Sequence, residues 1–179
     1  MLLVEAPKVG RCILPCHTRE KLDYLIEQAE CVRDKAIISL FADSGLRLSE
    51  LANVDPGDID WNAHTIKVIG KGNKEGVAPF GPKTEALLRQ WLAEYSPNGT
   101  LWDINAQGIK SMLTRLKKRT GLPCNAHTFR RTFATVLAKR GIDSLHIMRL
   151  GRWESISMVE LYTRSVKVED SLKFYRAIC

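Results

Sequence analysis

The hydrophobic period of the sequence changes in the middle of the chain, and this change limits the folds that it can adopt. Before and after a central segment, apolar residues recur every three to four positions, a spacing typical of amphipathic helices. Residues 58–81 instead hold three short alternating or β-branched runs, with a Gly-rich turn at residues 70–74 before the third. We therefore predict a mainly α chain with a small three-stranded antiparallel β-sheet, an α+β fold.

The helical pattern divides into segments separated by glycine, proline and polar breaks. Its predicted helices are residues 19–30, 34–45, 46–54, 84–95, 105–121, 127–141, 143–151, 157–164 and 166–179. Glycines at positions 45, 121 and 151 are predicted to end three of them. Residues 1–15 have little periodicity and indicate a linker or tail, so residues 16–179 are predicted to form one domain.

Cysteine usage indicates a reduced, intracellular protein. The five cysteines are odd in number and irregularly spaced, which does not suit a disulfide framework. Cys12, Cys16 and His17 lie close together, but no second cluster completes a tetrahedral set of ligands. We therefore predict no metal site. The sequence contains no apolar run that approaches a membrane span and no secretory leader, so we expect no membrane partner.

The charge of the chain suggests a polyanionic partner. Lysine and arginine number 27 against 20 acidic residues, which gives a net charge of +7. Charge alone leaves open whether the partner is nucleic acid or the chain is simply a basic, well-solvated protein. The segment 105–121 carries a cluster of basic residues that either follows DNA phosphates or forms an ordinary solvated face; it includes Lys110, Arg115, Lys117 and Lys118.

An imidazole and a guanidinium occur together at the start of the helix predicted at 127–141. His127 and Arg130 are three residues apart, which places them on one helix face with Cβ atoms about 5–6 Å apart. Such a pair suits a phosphate, which arginine binds through a two-pronged fork. The simpler interpretation is a capping histidine and a solvated arginine.

Four further stretches hold candidate site residues. Arg47 follows a glycine break and has Glu50 one turn on, an arrangement that suits either an anion clamp or a surface ion pair. Lys71 lies in the Gly-rich turn, where a lysine either reaches a ligand or only makes the turn soluble. Trp153 and Tyr162 are nine residues apart, and each on its own suits core packing.

Together these motifs resemble the tyrosine recombinase family, of the phage integrase type. The matching pieces are SGLRLSEL, GKGNK in a hairpin, HTFRRTFAT and GRWESISMVELYT, in the order Arg, Lys, His-x-x-Arg, Trp, Tyr. The resemblance covers roughly residues 20–179 and implies the fold of that family's catalytic domain. The family's separate N-terminal DNA-clamping domain, also called the core-binding domain, has no counterpart in this sequence.

The resemblance implies a catalytic role for seven residues in strand cleavage. It makes Tyr162 the nucleophile that attacks a DNA phosphate and forms a 3′-phosphotyrosyl bond. The other six residues implied are Arg47, Glu50, Lys71, His127, Arg130 and Trp153. Trp153 stands where many members carry histidine and some carry tryptophan.

The resemblance also implies partners and conditions. Double-stranded DNA is the expected substrate, contacted by the basic residues of segment 105–121 together with Arg131 and Arg152. Other recombinase protomers, as a tetrameric synapse, and accessory DNA-bending proteins are expected partners. No cofactor is expected, because arginines and a lysine supply the charge that Mg²⁺ supplies elsewhere, and the covalent link conserves bond energy without ATP. The expected location is the cytoplasm, at the nucleoid of a prokaryote or its phage.

Three other functions stay open at this stage. An enzyme like the type IB topoisomerases would use the same chemistry on one duplex. A non-catalytic DNA-binding protein would need neither Tyr162 nor the two arginines. A metal-dependent nuclease would need a cluster of carboxylates, which the sequence does not offer.

Overall fold

The structure, a computed structural model, describes residues 14–70, 72 and 75–176, and this part of the chain contains nine α-helices and a three-stranded sheet. The helices are α1 (Arg19–Glu27), α2 (Val32–Ser44), α3 (Leu48–Ala52), α4 (Pro82–Glu94), α5 (Ala106–Thr120), α6 (Ala126–Lys139), α7 (Ser144–Gly151), α8 (Ile156–Thr163) and α9 (Val168–Arg176). The strands are β1 (Ile59–Asp60), β2 (Thr65–Ile69) and β3 (Glu75–Pro79). The predicted mainly α fold with one small sheet is confirmed.

Helix ends follow from local side-chain chemistry. The side chains of Asn105, Asn125 and Asp143 accept hydrogen bonds from main-chain N–H groups in the first turns of α5, α6 and α7. Gly45 and Gly121 end α2 and α5 in the left-handed conformation, at φ 56° and 70°. Both ends agree with the sequence prediction.

The predicted end of α7 is wrong by one residue. Gly151 is the last helical residue, and Arg152 takes the left-handed position, with φ 55° and ψ 42°. A Cβ atom at Gly151 would lie 1.9 Å from the ring of Trp153, so this glycine is required for space rather than for its backbone angle. Sequence patterning assigns the glycine to the cap because glycine is the usual residue there.

The sheet is antiparallel in the order β1–β2–β3. In the β2–β3 hairpin Ile66 pairs with Ala78 on the buried face, and Lys67 pairs with Val77 on the exposed face. The turn between these strands includes Lys71, which lies outside the described residues. The described strands therefore fix the register of the hairpin on both sides of this turn.

The core consists of a large and a small cluster. In the large cluster, α2 packs against α1, α4 and α6, with Phe41 stacked on Phe129 at a ring-centroid distance of 5.6 Å. Trp102, in the loop before α5, is fully buried and its indole N–H donates to the carbonyl of Leu51 at 2.7 Å. The small cluster gathers the buried residues of α6, α7 and α8 around Trp153.

The C-terminal helix α9 leaves most of its apolar face exposed. Val168 is 71% exposed and Tyr175 66%. Phe174 lies over Gly141, where an added Cβ atom would be 2.7 Å from its ring. The helix is thus attached to its own domain along one edge.

Within residues 14–176, apart from the few turn residues left out, no helix is long and apolar enough to cross a membrane.

Gly45→Ala should destabilise the protein more than Gly121→Ala does. Both glycines are left-handed, so each alanine costs about 1–2 kcal/mol in backbone strain. At Gly45 the new Cβ atom would also lie 2.6 Å from the Phe133 ring, whereas at Gly121 nothing lies within 4 Å. Overpacking adds about 1–3 kcal/mol at Gly45 alone. Urea unfolding of both variants measures the difference in the free energy of unfolding. Equal losses of this free energy would contradict the prediction and show that the Phe133 ring moves aside without cost.

Candidate active site

A cleft of about 860 Å³ opens between the N-terminal ends of α3 and α6, one face of α5, and α8. Four cationic side chains line it: Arg47, Lys110, Lys117 and Arg130. His127, Trp153 and Tyr162 line it as well. Among the described residues no aspartate or glutamate lines this cleft. Its composition therefore suits an anionic ligand.

Arg130 lies at the base of the cleft and is almost entirely buried. Its Nη1 donates to the carbonyl of Gly45, at the end of α2, and its Nη2 donates to the carbonyl of Gly151, at the end of α7, at 3.1 Å. Its guanidinium carbon lies 4.7 Å from the ring centroid of Trp153. Burial, followed by the charge of Arg47, lowers the pKa of Arg130 to about 10, so the side chain stays cationic at neutral pH.

Arg47 precedes α3 and is held by Glu50. Its main-chain N–H donates to Glu50 Oε2 at 2.9 Å, its Nη1 donates to Oε1, and its Nη2 donates to the carbonyl of Arg152 at 3.0 Å. The Arg47 side chain is 35% exposed and that of Glu50 only 2%. Glu50 is thus a buried anchor that presents Arg47 to the cleft.

The pKa of Glu50 shows how strongly it is held. Burial alone would raise the pKa of this carboxyl, but hydrogen bonds from Arg47 and the charge of Arg152 outweigh burial and hold it below its ordinary value of 4.5. Glu50 is therefore ionised at neutral pH and supports two guanidinium groups.

Trp153, which precedes α8, and Tyr162, within α8, also line the cleft. Their rings meet edge to face at 5.6 Å, and Trp153 also contacts Phe133 at 6.3 Å. Thr135 donates its hydroxyl hydrogen to the carbonyl of Tyr162 at 3.0 Å, which fixes the end of α8 against α6. Tyr162 is half-buried in the cleft wall, beside the buried arginine.

Cys124 also lines the cleft and is a nucleophile by residue type. Burial raises the pKa of its thiol to about 11, so the thiol is protonated at neutral pH. A protonated, buried thiol is a poor nucleophile. Cys124 is consequently a poor candidate for the nucleophile.

The structure brings together six of the seven residues predicted to be catalytic. His127 is exposed at the start of α6, one turn before Arg130, as its spacing predicts. Glu50 lies behind Arg47 rather than in the cleft wall. Lys71, the seventh, lies outside the described residues. The histidine–arginine pair is therefore part of a larger site and not an isolated surface feature.

The predicted DNA contacts divide into two groups. Lys110 and Lys117 line the cleft, whereas Lys118 is exposed but does not line it. Arg115 faces the other side of α5, near Glu30 and Asp34, because it is offset by more than a third of a helical turn from the two lysines. That location does not support the predicted DNA contact of Arg115.

Arg131 and Arg152 are engaged with the protein itself. Arg131 donates to the carbonyl of Pro15 at 3.1 Å and to the hydroxyl of Thr128 at 3.0 Å. Arg152 is largely buried beside Glu50. Neither lines the cleft, which does not support the DNA contacts predicted for them.

The uncharged cleft residues that sequence reasoning missed include Ser49, Asn125 and Met158. Ser49 lies two residues after Arg47, and Asn125 caps the helix that begins the His-x-x-Arg motif, so proximity to those motifs is the signal that could have found them. Met158 precedes Tyr162 by one helical turn.

The cysteine–histidine group near the N-terminus does not form a ligand set among the described residues. The Nε2 atom of His17 hydrogen-bonds the carbonyl of Pro123 at 2.8 Å, and Cys16 faces the hydroxyl of Ser165. Cys12 lies outside the described residues. Burial lowers the pKa of His17, which packs as a neutral ring against Phe129.

Comparison with known proteins identifies the family. Residues 17–169 match the profile of the phage integrase family, and the chain belongs to this family. It is 31% identical over 185 aligned residues to the tyrosine recombinase XerC of Corynebacterium glutamicum, with 89% of this chain and 60% of that protein covered. It is also 31% identical over 161 residues to the tyrosine recombinase XerA of Saccharolobus solfataricus, with 89% of this chain and 55% of that protein covered. The chain thus spans somewhat more than half the length of these relatives.

Solved structures share the fold. A crystal structure of XerA recombinase matches with a TM-score of 0.80 at 24% identity, covering 93% of this chain and 65% of that one. The XerH site-specific recombinase bound to palindromic difH substrate, in a post-cleavage complex, matches with a TM-score of 0.73 at 22% identity, covering 96% and 56%. The predicted tyrosine recombinase fold is confirmed.

Glu50→Gln should lower stability at neutral pH but change it little in acid. The folded pKa of Glu50 is below its unfolded value, so its contribution is complete above the ordinary value of 4.5 and is lost as pH falls through the folded pKa. We expect the difference in unfolding free energy from the unmutated protein to be about 1.5–3 kcal/mol near neutrality. Urea unfolding from about pH 7 to about pH 3 should show this gap closing. The exposed Glu154→Gln is the control, and a gap that is constant with pH would contradict the assignment.

Proposed function

We propose that residues 16–179 form the catalytic domain of a site-specific DNA recombinase or integrase, which cleaves and rejoins double-stranded DNA through a 3′-phosphotyrosyl intermediate. The observation that carries this proposal is the placement of Tyr162 in one cleft with Arg47, Arg130 and His127, with no carboxylate in the wall among the described residues. Membership of the phage integrase family supports it. Several solved structures of similar fold are recombinases or integrases in complex with DNA.

The cleavage step uses the cleft residues in distinct roles. The Tyr162 hydroxyl loses its proton with help from His127 and its oxygen attacks the phosphorus atom. The new bond joins tyrosine to the 3′ phosphate while the bond from phosphorus to the 5′ oxygen breaks. Arg47 and Arg130 neutralise the non-bridging oxygens, and the Trp153 indole N–H donates to one of them. Lys71 gives a proton to the departing 5′ oxygen.

Arg47 and Arg130 place two cationic side chains in the cleft with Tyr162. Positive charge from these side chains replaces the charge that a metal ion supplies in other nucleases, so the proposed reaction uses neither Mg²⁺ nor ATP. Rejoining reverses the step, with a 5′ hydroxyl of the partner strand attacking the phosphotyrosyl bond.

The surroundings of the cleft suit assembly on DNA. Lys110 and Lys117 line the cleft, and we expect these lysines and the exposed Lys118 to follow the phosphate backbone, a contact that weakens with salt. The exposed apolar face of α9 suits docking on a neighbouring protomer in a tetrameric synapse. Accessory DNA-bending proteins and a location at the nucleoid in the cytoplasm complete the proposal.

Tyr162→Phe should abolish covalent attachment to DNA while keeping the fold and DNA affinity. Only the hydroxyl is lost, and both the ring contact with Trp153 and the carbonyl bond from Thr135 persist. The measurement is a denaturing gel after incubation with a nicked suicide substrate in excess EDTA. Tyr95→Phe, which changes a tyrosine stacked on the distant Trp91, is the control. A covalent adduct that still forms with Tyr162→Phe, or a strict requirement for Mg²⁺, would contradict the proposed mechanism.

Lys71→Ala should slow cleavage by about 10²–10⁴-fold, the usual contribution of a general acid. Weaker phosphate binding could give the same loss, so the leaving group decides the cause. With sulfur in place of the bridging 5′ oxygen, the departing thiolate needs no proton, and Lys71→Ala should cleave nearly as fast as the unmutated protein. Arg130→Ala is the control that sulfur should not rescue. If Lys71→Ala stays equally slow on both substrates, Lys74 becomes the candidate acid.

A further inference from the structure

Arg152 holds a backbone conformation that residues with a side chain seldom adopt. It follows the last residue of α7 with φ 55° and ψ 42°, in the left-handed region that glycine and asparagine favour. The Cβ atom of an arginine makes this region unfavourable relative to glycine. An arginine in this unfavourable conformation indicates that its side chain has a function.

The Arg152 side chain turns into the protein and joins three elements. Its Nη1 donates to the carbonyl of Val77 in β3 at 3.2 Å and to that of Leu150 in α7 at 2.9 Å. Its Nη2 donates to Glu50 in α3 at 3.3 Å. The side chain is only 13% exposed. The main-chain carbonyl of the same residue accepts from Nη2 of Arg47, so backbone and side chain both act on α3.

Strand β3 is shaped around this arginine. A Cβ atom at Gly76 would lie 2.8 Å from Cδ of Arg152, the last carbon of its aliphatic stem. The φ angle of Gly76 lies outside the left-handed region, so its backbone does not demand glycine. Space for Arg152 is therefore the physical reason for glycine at this position.

We propose that Arg152 is a positioning residue for strand cleavage, which fixes Arg47 and strand β3 relative to each other. It orients Arg47 through its own carbonyl and through the shared carboxylate of Glu50. It also fixes β3, whose first residue, Glu75, follows Lys71 by four positions and so limits where that lysine can reach. The inference rests on the proposed recombinase function and replaces the DNA contact that the sequence predicted for Arg152.

Arg152→Gly in the full chain tests this role. Glycine suits the left-handed backbone, so the fold should be kept while every side-chain contact is lost. We expect adduct formation on the nicked substrate to slow by about 10²-fold, the effect of misplacing reacting groups by about 1 Å. DNA affinity and its salt dependence should match the unmutated protein. If Arg152 instead contacts a phosphate, the slope of log affinity against log salt should fall by about 0.9, which would overturn the proposal.

The matched control is Arg149→Gln, which removes an arginine from the same helix. Arg149 is exposed, and within residues 14–176, as far as they are described, its side chain makes no hydrogen bond or ion pair. This variant should cleave at the unmutated rate. A loss as large as that of Arg152→Gly would show that overall charge, and not position, sets the rate.

Gly76→Ala tests the same contact from the other side, because it displaces Arg152 without removing any of its atoms. It should slow adduct formation, whereas Val77→Ala, at an exposed neighbouring position, should not. Amide hydrogen exchange over residues 75–79, measured without DNA, should rise in both Arg152→Gly and Gly76→Ala. If both variants exchange amide hydrogens and cleave DNA at the rates of the unmutated protein, the inference is overturned. An unmutated protein that forms no adduct would refute the proposed function instead, and unchanged exchange would then refute the link between Arg152 and β3.

Discussion

A buried guanidinium organises the centre of this molecule. Arg130 is 4% exposed, and its hydrogen bonds go to the carbonyls of Gly45 and Gly151, which end two different helices. A buried charge is strongly unfavourable unless it is hydrogen-bonded, and bonds to charged groups contribute about 1.5–3 kcal/mol each. The folded chain accordingly brings the ends of α2 and α7 together at α6. The cost of desolvating the cation is met during folding, before any ligand arrives.

The same constraint explains the geometry around the cleft. Gly45 ends α2 in a left-handed turn, and this turn exposes the carbonyl that Arg130 needs while leaving room for the ring of Phe133. Two residues beyond it, Arg47 begins α3. Arg130 and Arg47 are thus both connected to the turn at Gly45, Arg130 by a hydrogen bond and Arg47 by the chain itself. A phosphate that enters the cleft meets charges already in position.

Much of the fold and about half of the site arrangement follow from the sequence. Helices with periodic apolar faces, such as α1 and α5, are evident because 3.6-residue spacing needs only local information. The meeting of His127 and Arg130 follows from their spacing on one helix. That Arg47, Trp153 and Tyr162 join them is not visible in the residues alone, and the resemblance to a known family supplied it.

Other features escape sequence reasoning for physical reasons. Trp102 is buried in a loop, where no period marks it, because its indole N–H finds the Leu51 carbonyl only in the folded chain. Arg115 and Lys117 look equivalent as charges, but their two-residue offset puts them on different sides of α5. Arg152 looks like a surface cation because its partners, Glu50 and Val77, are far away in sequence.

The close contact of Gly76 with Arg152 limits how this protein can change over evolutionary time. The two positions share one small volume, since a Cβ atom at Gly76 would overlap the stem of Arg152. A larger residue at position 76 displaces Arg152 from its contacts unless Arg152 has first been replaced by a shorter side chain. The loss of Arg152, in turn, removes the reason for glycine. The order in which mutations arise at these two sites therefore decides which of them are tolerated.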